Sequence, residues 1–259
     1  MPLSRLTDAL VLRPTRHAIA VEHKRRHELP FRGGRLEFWQ HQSGPESRGA
    51  TDLAVLKFGG TGGRAERATE HPADCWPDLR ADVWALNPPG YGGSSGRASL
   101  QVMAEMALCA YDYVRRAAGP LPLIVTGNSL GGVAALYLAA HRPVNGLVLR
   151  NSPPLRELIV DRFGWWNLWI GARLIARQVP AELDAIRNAQ RCHVPAVFVS
   201  SLRDRIVWSR HQELIIEAYG GEKRVLRLPE ADHGCPLTEP QREEYRLLLE
   251  WLRRRAIGR

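Results

Sequence analysis

Apolar residues along this chain gather into short runs, and the stretches between them carry apolar positions at helical spacing. The runs at Leu53–Phe58, 82–87, 121–126, Gly146–Arg150, 194–200 and Lys223–Leu228 are of strand length. Their lack of polar alternation marks strands buried on both faces. Between them, residues 99–118 place Leu100, Met103, Ala107, Ala110, Tyr111 and Val114 on one helical face, and residues 130–141 are almost wholly apolar. A helix over 240–256 closes the chain. Upstream, alternation through Leu36 and Phe38 and a turn at Gly33-Gly34 predict a hairpin over 27–41. The polar, basic residues 1–29 predict an N-terminal helix or an arm across the domain.

Strands alternating with helices predict an α/β architecture, a mostly parallel central sheet with helices on both faces. Residues 1–259 read as one domain, and the long interruption at 152–193 reads as a short, helical, cap-like insertion.

The most informative local pattern is Gly127-Asn128-Ser129-Leu130-Gly131, between a predicted strand and a predicted helix. A strand-to-helix turn this tight strains its serine, and the glycines two residues before and after let strand and helix approach closely. The serine oxygen then projects above the sheet edge at the positive end of a helix. A serine hydroxyl is a weak nucleophile alone and needs a base held by an acid. Around such an elbow the chain order is serine, carboxylate, histidine, with the last two beyond the carboxyl ends of late strands. Asp204 follows the fifth of the six runs and His233 the sixth, so Ser129, Asp204 and His233 are the candidate catalytic residues. Asp232 is the rival acid, although neighbouring side chains usually point apart. His193 and His211 fit the order less well.

A tetrahedral intermediate also needs two aimed N–H donors. The N–H of Leu130, directly after the serine, is one candidate. The loop Phe58-Gly59-Gly60-Thr61-Gly62-Gly63 supplies the other, from Thr61 or alternatively Gly60. That loop lacks the Gly-Lys-Ser/Thr ending of a phosphate-binding loop and the spacing of a dinucleotide site. Residues 87–96 read as a compact turn that shapes the site without taking part in chemistry.

The bulk numbers narrow the picture further. The 259 residues, 44% apolar and 24% charged, suit an ordinary globular chain with a sizeable core. No run approaches the length of a membrane span, and the first residues lack the layout of a secretory signal. Cys75, Cys109, Cys192 and Cys235 lie far apart, which predicts reduced thiols in a cytoplasmic protein and no metal site. The net charge of +9 comes almost wholly from arginine. Its densest clusters, Lys24-Arg25-Arg26 and Arg253-Arg254-Arg255, have no interleaved aromatics, so no nucleic-acid partner is expected.

Taken in order, these motifs resemble the α/β-hydrolase superfamily, and within it the serine-hydrolase branch of BEM46-like and ABHD13/ABHD17-like proteins. The resemblance covers roughly residues 30–256. It rests on Phe58-Gly59-Gly60-Thr61, Pro89-Gly90-Tyr91-Gly92-Gly93-Ser94, Gly127-Asn128-Ser129-Leu130-Gly131-Gly132, Ser201-Leu202-Arg203-Asp204-Arg205-Ile206-Val207 and Asp232-His233-Gly234. Relatives commonly carry a histidine where this chain has Gly59. The resemblance implies hydrolysis of an ester, thioester or amide of a small-molecule acyl substrate, with no metal or organic cofactor. The serine argues against the dehalogenase and epoxide-hydrolase relatives, which use an aspartate there. A serine peptidase or acyltransferase with the same triad, and a non-catalytic binding protein of this fold, are the alternatives.

The 152–193 segment holds Phe163-Gly164-Trp165-Trp166-Asn167-Leu168-Trp169-Ile170, unusually aromatic for this chain. One reading is a lid or lipid-touching patch over residues 163–170. The other is a helix whose tryptophans pack on the core beneath it.

Overall fold

The computed structural model describes residues 2–165 and 169–258. The hairpin pattern becomes β1 (Arg25–Phe31) and β2 (Gly34–Ser43), paired antiparallel from Arg25 opposite Gln40 to Phe31 opposite Gly34. The turn lies one residue earlier than the glycine pair suggested. Arg32 (φ 46°) and Gly33 (φ 72°) link the strands in left-handed conformations, a two-residue turn whose twist matches that of the strands.

Six further strands follow: β3 (Leu53–Phe58), β4 (Ala81–Asn87), β5 (Leu123–Asn128), β6 (Gly146–Arg150), β7 (Ala196–Ser201) and β8 (Lys223–Leu228). All eight form one sheet in the order β1-β2-β4-β3-β5-β6-β7-β8, and only β2 runs against the others. Because β3 lies between β4 and β5, the chain builds the sheet outward from it in both directions. The carboxyl ends of β3 and β5 therefore form the switch point where ligands bind in open sheets.

Helices cover both faces. The strands alternate, so Leu56, Val125 and Phe198 face α2 (Met103–Ala118) and α3 (Leu130–His141), while Val55, Ile124 and Val197 face α8 (Glu239–Ile257). Helix α3 is buried from Leu130 to Leu138, which explains its nearly unbroken apolar sequence. Helix α8 opens with a capping box of Thr238 and Gln241.

Several boundaries differ from the periodicity. Strand β5 starts at Leu123 rather than 121, beyond Pro122, which has no N–H for the ladder, and it runs on through Asn128. Residues 100–102 form a 3-10 turn before α2. The β3–β4 connection has 3-10 turns at Ala65–Arg67 and Ala73–Cys75 in place of an α-helix.

At the N-terminus α1 (Leu3–Val11) precedes an extended arm. The 152–193 segment forms α4 (Leu155–Phe163), α5 (Ile170–Ala176), a 3-10 turn and α6 (Ala185–Arg191). Helix α6 packs on α3, whereas α5 packs on α4 and α1. Helix α7 (Ser209–Ala218) lies between β7 and β8 in the chain. All four cysteines are free, and no helix among the described residues is long and apolar enough to cross a membrane.

Candidate active site

Ser129 sits between β5 and α3 with φ 52° and ψ −123°, a backbone conformation that non-glycine residues adopt at a cost. The surroundings hold it there. Ser129 N–H donates to the Arg150 carbonyl (2.8 Å), and Gly132 N–H donates to the Ser129 carbonyl (2.8 Å). A Cβ on Gly131 would lie 2.1 Å from the carbonyl oxygen of Phe58, so only glycine lets the start of α3 rest on the end of β3. Phe58 pairs directly with Gly127, which puts the glycine-rich loop and the elbow on neighbouring strand ends.

The glycine-rich loop is clamped from outside. Its turn closes through Gly63 N–H to the Gly60 carbonyl (2.8 Å). The buried Tyr91 hydroxyl donates to the Thr61 carbonyl (2.6 Å) and accepts from Arg13 N–H (3.1 Å). Asn87 accepts from Ala65 N–H (2.9 Å) and donates to Glu37 (2.7 Å) and Glu66 (2.9 Å). Arg64 pairs with Glu66 in the same buried network. Burial opposes ionisation of Glu66, but hydrogen bonds from Arg64 and Asn87 outweigh it and hold the carboxyl below its ordinary range. The 87–96 segment thus anchors the loop, beyond the shaping role its sequence suggested. Leu130 is the first residue of α3, where N–H groups have no acceptor within the helix.

Asp204 follows β7 and is 3% exposed. Its Oδ1 accepts from the N–H groups of Ile206 and Val207, both at 2.8 Å. Its Oδ2 accepts from Gln212 Nε2 (3.1 Å) and lies 2.6 Å from His233 Nδ1. An Nδ1–H donated there leaves Nε2 as the acceptor nitrogen of a neutral ring. Asp232 turns elsewhere: it accepts from the backbone N–H groups of Arg205 and His233 and pairs with the Arg205 guanidinium. These donors hold its carboxyl down at about 2. His211 pairs instead with Asp161 (3.0 Å), and His193 lies against the Gly220 carbonyl.

Asn151, just after β6, is a residue the motifs did not reveal. It has φ 49°, accepts from Ser201 N–H (3.0 Å), and donates to Ser201 Oγ (3.1 Å) and the His233 carbonyl (2.9 Å). Its one sequence signal is an asparagine at a strand end, where the left-handed conformation is tolerated.

Ser129, His233, Leu130, Gly60 and Thr61 line one cavity of about 720 Å³. Leu10, Val11, Leu155, Leu158, Ile159 and Phe163 give it an apolar wall. Among the described residues no hydrogen bond joins Ser129 to His233. Trp165 and Trp169 are not core: they are 73% and 42% exposed. Trp166, Asn167 and Leu168 lie outside the described residues.

One grouping among the described residues has potential metal ligands close together: His71, Asp74 and Cys75. They lie on a second cavity of about 930 Å³ that shares Gly60, Gly62 and Gly63 with the first. His71 is already engaged by Tyr245 (2.9 Å) and Asp74 (3.2 Å). Burial, reinforced by Asp74, pushes the Cys75 thiol up to about 12, and Lys57 and Arg246 add positive charge nearby. That setting suits a hydrogen-bonded cluster better than a divalent cation.

A strained serine elbow at the switch point of a mostly parallel sheet, with an acid–base pair beyond two later strands, defines the class of α/β hydrolases. The chain belongs to the alpha/beta hydrolase fold family, whose sequence model matches residues 59–191, just over half of it. It is similar to an uncharacterized protein of Mycobacterium tuberculosis, 28% identical over 225 residues that span 86% of this chain and 75% of that one. The alpha/beta hydrolase domain-containing protein WAV2 of Arabidopsis thaliana is 26% identical over 197 residues, 71% of this chain and 62% of its own. Among solved structures, the Pyrococcus furiosus esterase Pf2001 matches with a TM-score of 0.70 at 15% identity, covering 95% of this chain and all of that one.

Proposed function

We propose that the protein is a serine hydrolase that cleaves a carboxylic ester or thioester through an acyl-enzyme on Ser129. The observation that carries this reading is the 2.6 Å contact of His233 Nδ1 with Asp204, beside a cavity that Ser129 also lines. Nε2 of His233 takes the serine proton as Oγ attacks the carbonyl carbon. The N–H of Leu130, with that of Thr61 or Gly60, holds the developing oxyanion. The imidazolium then protonates the departing oxygen or sulfur. In the second half, water attacks the acyl carbon as Nε2 takes its proton, and the imidazolium returns that proton to Ser129 Oγ as the acyl–oxygen bond breaks and the acid leaves. The Ser129–His233 contact closes in the substrate complex, as catalytic hydrogen bonds in unliganded sites commonly do.

The apolar wall favours an acyl chain over a charged peptide, which is why a peptidase takes second place. We read 152–193 as a cap over the catalytic domain, and the motif set as that of the BEM46-like branch. A fluorophosphonate probe should label Ser129 in the wild-type chain and not in Ser129→Ala. A panel of esters, thioesters and peptides then ranks the substrate class. A folded chain that stays unlabelled sinks the proposal.

A further inference from the structure

Helix α1 is turned inside out. Leu3, Leu6 and Leu10 recur at helical spacing on one stripe, which such a helix ordinarily buries. Here the buried residues are Thr7 and Asp8. The Thr7 hydroxyl lies 3.1 Å from the Ile175 carbonyl oxygen of α5, and Asp8 accepts from Leu100 N–H at 2.8 Å. The polar face is satisfied inside, and Leu3 and Leu6 are left 44% and 39% exposed.

Its neighbour behaves alike. Helix α5 packs on α1 and exposes Ile170 (65%) and Leu174 (44%), next to the exposed Trp165 and Trp169. Leu10 and Val11, at the end of α1, line the Ser129 cavity, so this apolar face runs up to the cavity. Its charge has one sign. Arg5, Arg173 and Arg177 are exposed and have no carboxylate partner among the described residues, while Asp8, the one acid in α1 and α5, is buried.

We propose that the outer faces of α1 and α5, with Trp165 and Trp169, seat the protein on an anionic phospholipid bilayer. The aliphatic side chains enter the acyl boundary, the indoles settle at headgroup level, and the arginines meet phosphate. A second copy of this chain is a poorer occupant. A two-fold contact through this face would set the same arginines against one another, whereas an anionic surface draws them in. The proposal is independent of the chemistry at Ser129.

The test is co-sedimentation of the full chain with vesicles of phosphatidylcholine alone, or of phosphatidylcholine mixed with phosphatidylglycerol. Sedimentation velocity without vesicles runs alongside. The wild-type chain should bind the anionic vesicles, and less so as salt rises. The pairs Leu3→Glu with Leu6→Glu, and Arg173→Glu with Arg177→Glu, should each lower partitioning by about tenfold or more, with thermal melting unchanged. If the α1 pair unfolds, Ile170→Glu with Leu174→Glu takes its place. A wild-type chain that ignores anionic vesicles, or variants that bind as it does, would overturn the proposal. So would a solution dimer that the leucine variants dissociate, which would give the face to a second copy. Ser129→Ala should bind vesicles like the wild type, so this result stands apart from the fate of the acyl-enzyme.

Discussion

The side-chain amide of Asn151 donates to the main-chain carbonyl of His233 at 2.9 Å, tying the loop that carries His233 to the strand end beside Ser129. Asn151→Ala removes this tie, leaves the buried N–H of Ser201 unpaired and puts alanine at a left-handed position. We expect a stability loss of about 1–3 kcal/mol in denaturant titrations. Labelling of Ser129 should slow by about tenfold or more as His233 loses its position. Asn151→Gly tolerates the backbone conformation but lacks the amide, so it should recover part of the stability and none of the labelling rate.

Asp204 and Asp232 both contact His233, but only Asp204 touches the ring. Asp204→Asn should therefore lower kcat for an ester substrate by about 10³–10⁴-fold through the wrong histidine tautomer. Asp232→Asn should cost less than about tenfold, because its carboxylate serves the backbone and Arg205. Equal losses in the two variants would contradict this division.

His41, on β2, is 5% exposed, and its Nε2 lies 3.5 Å from the Glu70 carboxylate. Burial, with Lys24 nearby, pulls its pKa down to about 4. The unfolded chain binds this proton near pH 6.5 and the folded chain only near 4, so stability falls as pH drops through that window. The loss reaches at most about 3 kcal/mol and is complete below the folded value. Denaturant titrations across pH 4–7 should show this slope, and His41→Phe should flatten it. A slope that persists in the variant would assign it to other groups.

The apolar wall makes a prediction about chain length. Leu158 is half-buried and lines the Ser129 cavity. Leu158→Trp should fill that space and lower kcat/KM for long-chain p-nitrophenyl esters by about 10–100-fold, with short-chain esters nearly unaffected. An equal fall for both would place the acyl chain elsewhere.

Much of this architecture was readable in the sequence because buried parallel strands leave apolar runs, and because glycines flank a serine where strand meets helix. That Asp204 and His233 meet was readable from chain order. The supports were not. Tyr91 and the Glu37–Asn87–Glu66 network act across large separations in the chain, and polar residues leave no period to detect. For α1, the polar, basic character of residues 1–29 masked the apolar stripe of Leu3, Leu6 and Leu10, and with it the side that meets the protein. The sequence left Trp165 and Trp169 open, because a large aromatic fits a core and an exposed rim equally well by composition. The hairpin turn shifted to Arg32-Gly33 because strand register, rather than the glycine pair alone, set it.

The pairing of Phe58 with Gly127 has a consequence for how the site comes into being. The proposed oxyanion donors acquire their spacing only when β3 and β5 lie side by side. The proposed acid and base, Asp204 and His233, depend instead on β7 meeting β8, where Ser201 stands opposite Leu228. Two halves of one site therefore mature through separate pairings, and β6 is the seam between them, with Asn151 as its stitch. A nascent chain that has completed only one half would own a cradle without a proton carrier, or a proton carrier without a cradle. Reactivity at Ser129 would then report that the seam has closed.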